Sequence, residues 1–214
     1  MISKPDPTRA DARARELLQT ARRVLLFGHE RPDGDVLGSQ VGLAWALAER
    51  GAEVSIVNPD PPDAPFDFLE PPLRFEAYTG EASLPDHDLA VMLDCSELSR
   101  AGELGQALRR GGAPLVVIDH HVLPAEPWWD AALHDPTAAA TGMLVWRWIR
   151  ASSLPLCPPQ AIGLFTAIAT DTGWFRHPNT DAEVLEAASE LVRAGAYPDR
   201  IHRALFRRRK VEHT

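Results

Sequence analysis

The sequence lacks the features that mark membrane and secreted proteins. Its 214 residues contain no unbroken apolar run of the roughly 18 residues that a membrane-spanning helix needs. Residues 1–14 have no apolar centre of the kind found in secretory signals. We therefore expect a cytoplasmic location and no membrane partner.

Cysteine and positive charge are also scarce. The two cysteines, Cys95 and Cys157, form no CxxC or Cys/His pair, which argues against a zinc knuckle and predicts ordinary reduced thiols. The net charge is −8, whereas proteins that bind long nucleic acids carry extended basic surfaces. Long duplex nucleic acid is therefore not expected as a partner. An anionic substrate needs cations held locally among the acidic side chains.

Short apolar segments alternate with helical patterns along the first 120 residues. The strand-like segments are 24–27, 52–58, 89–94 and 114–119, and the helical ones are 10–22, 36–51 and 100–111. This alternation predicts an α/β fold with a doubly wound, mostly parallel sheet flanked by helices. Segment 59–72 contains six prolines and is expected to be an extended surface excursion. Helical patterns over 138–151, 158–173 and 181–195, and a basic one within 198–214, predict a helical C-terminal part.

Side chains that bind metals stand where these segments end. Three predicted strands lead to His29, to Asp94 and to the run 119–121, and a predicted helix leads to Asp171. Ligands gather beyond the carboxyl ends of the strands in open parallel sheets, so these ends should converge. The loop after the first strand adds two carboxylates separated by Gly34. The candidate metal ligands are His29, Asp33, Asp35, Asp94, His120 and Asp171.

This set of ligands indicates a particular kind of metal site. Four carboxylates and two imidazoles are too many for one tetrahedral zinc ion but suit two ions joined by a bridging carboxylate, for which Asp94 is the natural candidate. Oxygen-rich ligation favours manganese, then magnesium or cobalt. Two ions roughly 3.5 to 4 Å apart activate water for displacement at phosphorus. A single Asp or His at a strand end is more often a turn or cap residue. Carboxylates at four converging segment ends, however, would repel one another unless cations neutralised their charge.

Four segments resemble motifs I to IV of the DHH phosphoesterases, in the same order: GHERPDGDVLGS, VMLDCSELSRAG, VIDHH and TDTGWFRHPNT. Within that family they are similar to the group of bifunctional oligoribonucleases and 3'-phosphoadenosine-5'-phosphate phosphatases. The resemblance implies hydrolysis of short oligoribonucleotides, of that bisphosphate nucleotide, or of both. It assigns the ligands to two ions, one held by His29, Asp33 and Asp94, the other by Asp35, Asp94, His120 and Asp171.

The resemblance also implies two catalytic residues and a domain plan. His121 would contact the substrate phosphate, and Asp119 would orient the histidines through a hydrogen bond. Members of this group carry a C-terminal substrate-binding domain with a glycine-rich motif, which this sequence lacks. We therefore expect a DHH domain over residues 1–195 and a linker helix over 196–214. Members often pair through the sheet edge, so a homodimer is one expectation.

Three further residues are candidates for contact with the substrate. Arg100 and Arg176 lie next to motif residues and are candidates to neutralise a phosphate, although each is equally well explained as a surface arginine. Ser39, near the start of a helix, could donate to an anion, orient a ligand or cap the helix.

Other functions use the same ligands. Cleavage of cyclic dinucleotides or their linear products is one alternative, and a regulatory module that binds metal and phosphate with little turnover is another. A pyrophosphatase is disfavoured because motif I would have Asp-Thr-Asp-Ser where this chain has residues 33–36, Asp-Gly-Asp-Val. A RecJ-like exonuclease is disfavoured because its motif I begins differently and its chain is far longer.

Overall fold

Six parallel strands form the centre of the protein, in the order β3-β2-β1-β4-β5-β6. The structure, a computed structural model, describes residues 7–72 and 74–207. The strands are β1 (Arg23–Phe27), β2 (Glu53–Asn58), β3 (Phe75–Ala77), β4 (Leu89–Leu93), β5 (Leu115–Asp119) and β6 (Ala131–His134). The helices in the described residues are α1 (Pro7–Thr20), α2 (Gly34–Glu49), α3 (Gly102–Gly111), α4 (Thr141–Ala151), α5 (Pro158–Asp171), α6 (Ala182–Arg193) and α7 (Pro198–Arg207).

The order of the strands reverses between β1 and β4. β1 pairs with β2 on one side and with β4 on the other, and every pairing in the sheet is parallel. An open parallel sheet has a crevice at such a reversal, beyond the carboxyl ends of the two strands. His29 follows β1 and Asp94 follows β4, so the fold places both at this crevice.

Helices cover both faces of the sheet, which confirms the predicted doubly wound α/β fold. Alternate residues of a strand point to opposite faces. Leu26 belongs to the larger core cluster, which α1, α2, α4 and α5 help to build. Leu25 and Phe27 belong to a second cluster, to which α3 contributes Leu104. Strands β4 and β5, and β1 from Val24 onward, are therefore buried on both sides, as their continuous apolar sequences predict.

Helix α5 packs antiparallel on α2. Their contacts pair Gly34 with Thr170, Gly38 with Ala167, and residue 42 with residue 164. A Cβ atom on Gly38 would lie 2.3 Å from the carbonyl oxygen of Gly163, so the close approach requires glycine. The packing brings Asp171, at the end of α5, beside the first turn of α2, which carries Asp35.

The sequence patterns missed two strands. β3 has three residues and β6 is rich in alanine, so neither carries a strong strand signal. Both lie at the edges of the sheet, where strands are often short. The proline-rich segment is also more than a surface excursion. It forms a short 3-10 turn at Ala64–Phe66, and its Leu69 is buried against α2.

The C-terminal part is helical, as predicted. Helix α7 packs on the domain through Ile201, which is 2% exposed. Residues 208–214 of the expected linker helix lie outside the described residues, and the linker role itself stays a prediction. Among residues 7–72 and 74–207, no helix has the length and apolarity to cross a membrane.

Candidate metal centre

The six candidate ligands meet at the carboxyl edge of the sheet. They form two groups in which one ligand atom of each residue lies within 4.8 Å of the others. We call Asp35, His120 and Asp171 the inner group, and His29, Asp33 and Asp94 the outer group. The Nε2 atom of His120 lies 3.5 Å from Oδ1 of Asp94, so Asp94 stands between the two groups.

Both histidines of these groups have one ring nitrogen bound to a backbone carbonyl. Nδ1 of His29 lies 2.8 Å from the Glu30 carbonyl, and Nδ1 of His120 lies 3.0 Å from the Ala138 carbonyl. A carbonyl oxygen only accepts hydrogen bonds, so Nδ1 carries the hydrogen in both rings. In each neutral ring Nε2 then carries the free lone pair, and this is the arrangement that metal-binding histidines adopt.

The Nε2 atom of His120 is buried without a hydrogen-bond partner among the described residues. Three carboxylates surround it, with distances of 3.3 Å to Asp171, 3.5 Å to Asp94 and 3.8 Å to Asp35. A buried polar atom is rarely left unpaired, and this one faces an array of negative oxygen atoms. A divalent cation between them would satisfy all four groups, so the donor set fits a metal.

Asp35 is the most deeply buried carboxylate of the site. Its Oδ1 accepts hydrogen bonds from the Ser39 hydroxyl at 3.1 Å and the Gly142 amide at 2.9 Å, and its Oδ2 accepts one from the Thr141 amide at 2.7 Å. Burial, followed by the charges of Asp94 and Asp171, still raises its pKa well above the ordinary value.

Two more groups at the inner site have shifted pKa values. Burial and the charge of Asp94 raise the pKa of Asp171 to about 6. Burial lowers the pKa of His120, but Asp94, the Ala138 carbonyl and Asp171 outweigh it and raise this pKa to about 9. These shifts keep protons on the inner group in the metal-free protein, and a cation that binds there would take their place.

The two carboxylate oxygens of Asp33 have different roles, one in capping α2 and one in the outer group. Oδ1 caps α2 by accepting hydrogen bonds from the amides of Asp35 and Val36. Oδ2 lies 3.9 Å from Nε2 of His29, and the Asp33 side chain is 58% exposed. Capping therefore fixes the orientation of the carboxylate while one oxygen remains free towards the outer group.

The structure corrects the role expected for Asp119. Its Oδ1 accepts a hydrogen bond from the His121 amide at 3.0 Å and lies 2.8 Å from Nδ1 of His121. It therefore orients His121 alone, since the Ala138 carbonyl orients His120. Asp119 is fully buried and does not reach a substrate, so it is a positioning residue. The hydrogen bond between the two side chains, outweighing burial, raises the pKa of the His121 ring.

The three candidate substrate contacts, Ser39, Arg100 and Arg176, lie in different environments. Ser39 is fully buried and donates to Asp35, so the structure favours the role of orienting a ligand over contact with a substrate. Arg176 is exposed, and its Nε donates to the Gly173 carbonyl. Arg100 is exposed on the 3-10 turn before α3, and its own carbonyl accepts from the Glu30 amide. Neither arginine is drawn into the carboxylate cluster.

Cys95 follows Asp94 but is not a metal ligand. Its thiol is buried, and its sulfur pairs with the backbone of Glu97. Burial raises the pKa of this thiol to about 11, so it stays protonated at neutral pH. The donor set consequently contains only oxygen and nitrogen, which suits hard divalent cations.

Sequence reasoning missed the start of α4. Thr141 and Gly142 donate their amides to Asp35, although they lie more than a hundred positions away in the chain. The available signal was a threonine that follows three alanines and opens an apolar helix. Such a pattern indicates a helix start but does not reveal which anion the start will bind.

Comparison with known proteins finds similar enzymes over most of this chain. The chain is 36% identical to the bifunctional oligoribonuclease and PAP phosphatase NrnA of Thermus thermophilus, over 80% of this chain and 50% of that protein. It is 29% identical to the protein of the same name from Bacillus subtilis, over 79% of this chain and 52% of that one. The chain thus spans about half the length of these curated relatives.

A solved structure and a family profile complete the comparison. An exopolyphosphatase-related protein from Bacteroides fragilis has the same fold, with a TM-score of 0.85 and 23% identity over 96% of this chain and 62% of that one. The profile of the DHH family, N-terminal domain, matches residues 23–170, which contain β1 to β6 and nearly all of α5. The chain therefore belongs to the DHH family and carries its N-terminal domain.

Proposed function

We propose that this chain is the catalytic part of a metal-dependent phosphohydrolase that acts on short oligoribonucleotides, 3'-phosphoadenosine-5'-phosphate, or both. One observation carries the proposal. Four carboxylates and two correctly oriented imidazoles converge at the sheet reversal, and Nε2 of His120 is buried among them with no hydrogen-bond partner in residues 7–72 and 74–207. The names of the relatives, which describe oligoribonucleases and PAP phosphatases, support the choice of substrates.

The residues that would hold two divalent cations fall into the two groups. His29 and Asp33 would hold the outer cation, Asp35, His120 and Asp171 the inner one, and Asp94 would serve both. Manganese is the first choice for such oxygen-rich sites, with magnesium or cobalt as substitutes. The chemistry that these cations supply when bound is Lewis acidity and activation of water.

The remaining residues prepare the site for a phosphate. Asp119 occupies Nδ1 of His121, which leaves Nε2 as the ring nitrogen available to a phosphate oxygen. The His121 side chain is 53% exposed, so a substrate can reach it. The hydrogen bond with Asp119 favours the charged ring, which donates more strongly to a phosphate than a neutral one.

The proposal is tested by titrating Mn²⁺ into the purified chain while following phosphate and nucleotide release from the bisphosphate, a dinucleotide and pyrophosphate. We expect turnover of the first two. Asp94→Ala should abolish turnover, because it removes the group shared by both cations. The control is Asp88→Ala, at the other end of β4, where the carboxylate binds the amides of Arg22 and Arg23.

Two results would contradict the proposal. Full activity of Asp94→Ala would rule out the shared carboxylate, and absence of divalent cation uptake by the wild type would rule out the enzyme. Uptake without turnover of any substrate would favour the regulatory module instead.

A further inference from the structure

Thr141 lies where the two ligand groups meet. It is the first residue of α4 and is fully buried. Its amide donates to Oδ2 of Asp35 at 2.7 Å, and its hydroxyl donates to Oδ1 of Asp94 at 2.9 Å. One residue is therefore hydrogen-bonded to the deepest carboxylate and to the shared carboxylate at the same time.

The hydrogen bonds leave Asp35 one oxygen position for a cation. A carboxylate has about four lone-pair directions, two on each oxygen. On Oδ1 both are taken, by Ser39 and by the amide of Gly142. On Oδ2 the Thr141 amide takes one, and the same atom lies 3.8 Å from Nε2 of His120. Asp35 can thus offer a cation one lone pair, on Oδ2, and the hydrogen bond from the Thr141 amide to Oδ2 fixes the direction of that lone pair.

Asp94 depends on the Thr141 hydroxyl for its orientation. Its backbone has φ of 59°, a left-handed conformation that is uncommon outside glycine, and its amide donates to the Ile118 carbonyl. The hydrogen bond that its side chain accepts comes from outside its own strand, from the first residue of α4. The Thr141 hydroxyl binds Oδ1, the same oxygen that lies 3.5 Å from Nε2 of His120.

Helix α4 packs closely on α5, and this packing places Thr141 at the site. The absence of a side chain at Gly142 lets α4 approach α5, since a Cβ there would lie 2.7 Å from Cβ of Ala167. The start of a helix also carries a partial positive charge, which stabilises a nearby carboxylate.

We propose that Thr141 is a positioning residue that fixes Asp35 and Asp94 relative to each other, and thereby sets the distance between the inner and outer groups. This inference rests on the proposed function, because it concerns how the same site holds its cations. The backbone amide of residue 141 can donate to Asp35 whatever the side chain is. The hydroxyl of Thr141 donates to Asp94, and a substitution can remove it.

The test compares Thr141→Val, which removes the hydroxyl at nearly constant shape, with Thr141→Ser, which keeps it. Mn²⁺ binding is measured by calorimetry on the purified chain, and thermal unfolding is followed with EDTA and with Mn²⁺. Outer partners of metal ligands typically contribute about 10- to 100-fold to affinity, so we expect a loss of that size in Thr141→Val and recovery of most of it in Thr141→Ser.

The matched control is Thr166→Val in α5. That threonine is also fully buried, but its hydroxyl donates to the Ile162 carbonyl of its own helix. We expect it to lower the unfolding temperature in EDTA while leaving the Mn²⁺ affinity unchanged. If Thr141→Val does not fold, Thr141→Ala removes the same hydroxyl without adding a methyl group.

The outcomes separate the two proposals. Wild-type Mn²⁺ affinity in Thr141→Val, or an equal loss in Thr141→Ser, overturns the positioning role and leaves the proposed function standing. Absence of Mn²⁺ uptake by the wild type overturns both. A loss confined to the variants without the hydroxyl supports the inference.

Discussion

Asp33 and Asp35 are two positions apart in one loop and have opposite environments. The Asp33 side chain is 58% exposed and spends one oxygen on capping α2. Asp35 is buried beneath the start of α4 and accepts three hydrogen bonds. The same residue type therefore serves as an adaptable ligand in the outer group and as a fixed one in the inner group.

The difference between the two aspartates shows that negative charge is least favourable in the inner group. The pKa of Asp35 and that of Asp171 are raised, both by burial first and then by neighbouring carboxylates. Buried like charges cost free energy unless a cation or protons neutralise them. Cation binding should therefore depend more strongly on the inner group than on the outer one.

The largest effect is expected from Asp171→Asn compared with Asp33→Asn. Loss of an inner carboxylate should lower Mn²⁺-dependent turnover by roughly 100- to 1000-fold, the size of several kcal/mol of charge stabilisation. Loss of the exposed carboxylate should cost only about tenfold, since the amide oxygen of the introduced asparagine preserves the cap. Kinetics at saturating Mn²⁺ measure both.

Thermal unfolding in EDTA supplies the control for this pair. Asp171→Asn should unfold at a higher temperature than the wild type, because it relieves repulsion from Asp94. Equal losses of turnover in the two variants would remove the distinction between the groups.

An effect of intermediate size is expected from pH. The folded pKa values of Asp171 and His120, about 6 and about 9, lie above their ordinary values of 3.8 and 6.5. These two groups therefore stabilise the metal-free protein fully below their ordinary pKa values, and this contribution is lost as pH rises through about 6 and then about 9. A cation must displace the same protons, so Mn²⁺ affinity should rise about tenfold per pH unit for each proton released.

Calorimetry between pH 6 and pH 8 measures the affinity, and melting curves in EDTA measure the opposite trend in stability. A Mn²⁺ affinity that does not change over this range would mean that the inner group is already unprotonated in the metal-free protein.

The smallest effect is expected from Ser39→Ala. Asp35 keeps its two amide donors, so only the hydrogen bond from the Ser39 hydroxyl is lost, at a cost of about 1 kcal/mol. Mn²⁺ affinity at the inner group should fall by up to about tenfold while the outer group is unaffected. A two-site calorimetric titration separates the groups, and Ser83→Ala, whose hydroxyl donates to the Gly80 carbonyl in a surface turn, is the control. Equal weakening of both sites would contradict a local role for Ser39.

Much of the fold followed from local sequence signals. The four predicted strand segments became β1, β2, β4 and β5. The continuous apolar runs of β1, β4 and β5 reflect burial on both faces, where no polar alternation is needed. The edge strands β3 and β6 were missed because three or four residues pair only when a neighbouring strand is already present. Helix α2 is buried nearly all round because α5 packs closely against it, which the helical pattern over 36–51 did not reveal.

The sequence by itself determined which side chains are available at the carboxyl edge of the sheet. Parallel strands carry the residues that follow them to one edge, so His29, Asp94 and the run 119–121 had to arrive together once the strands were recognised. The four motifs also identified the DHH family, which the match over residues 23–170 confirms.

Only the tertiary structure decided how those side chains are oriented. The carbonyls of Glu30 and Ala138 set which nitrogen of each histidine is free, and the start of α4 holds Asp35. Every residue has a carbonyl, and every residue except proline has an amide, so no residue type marks the ones that will become partners. Their role depends on where distant segments pack, and packing is a property of the whole fold.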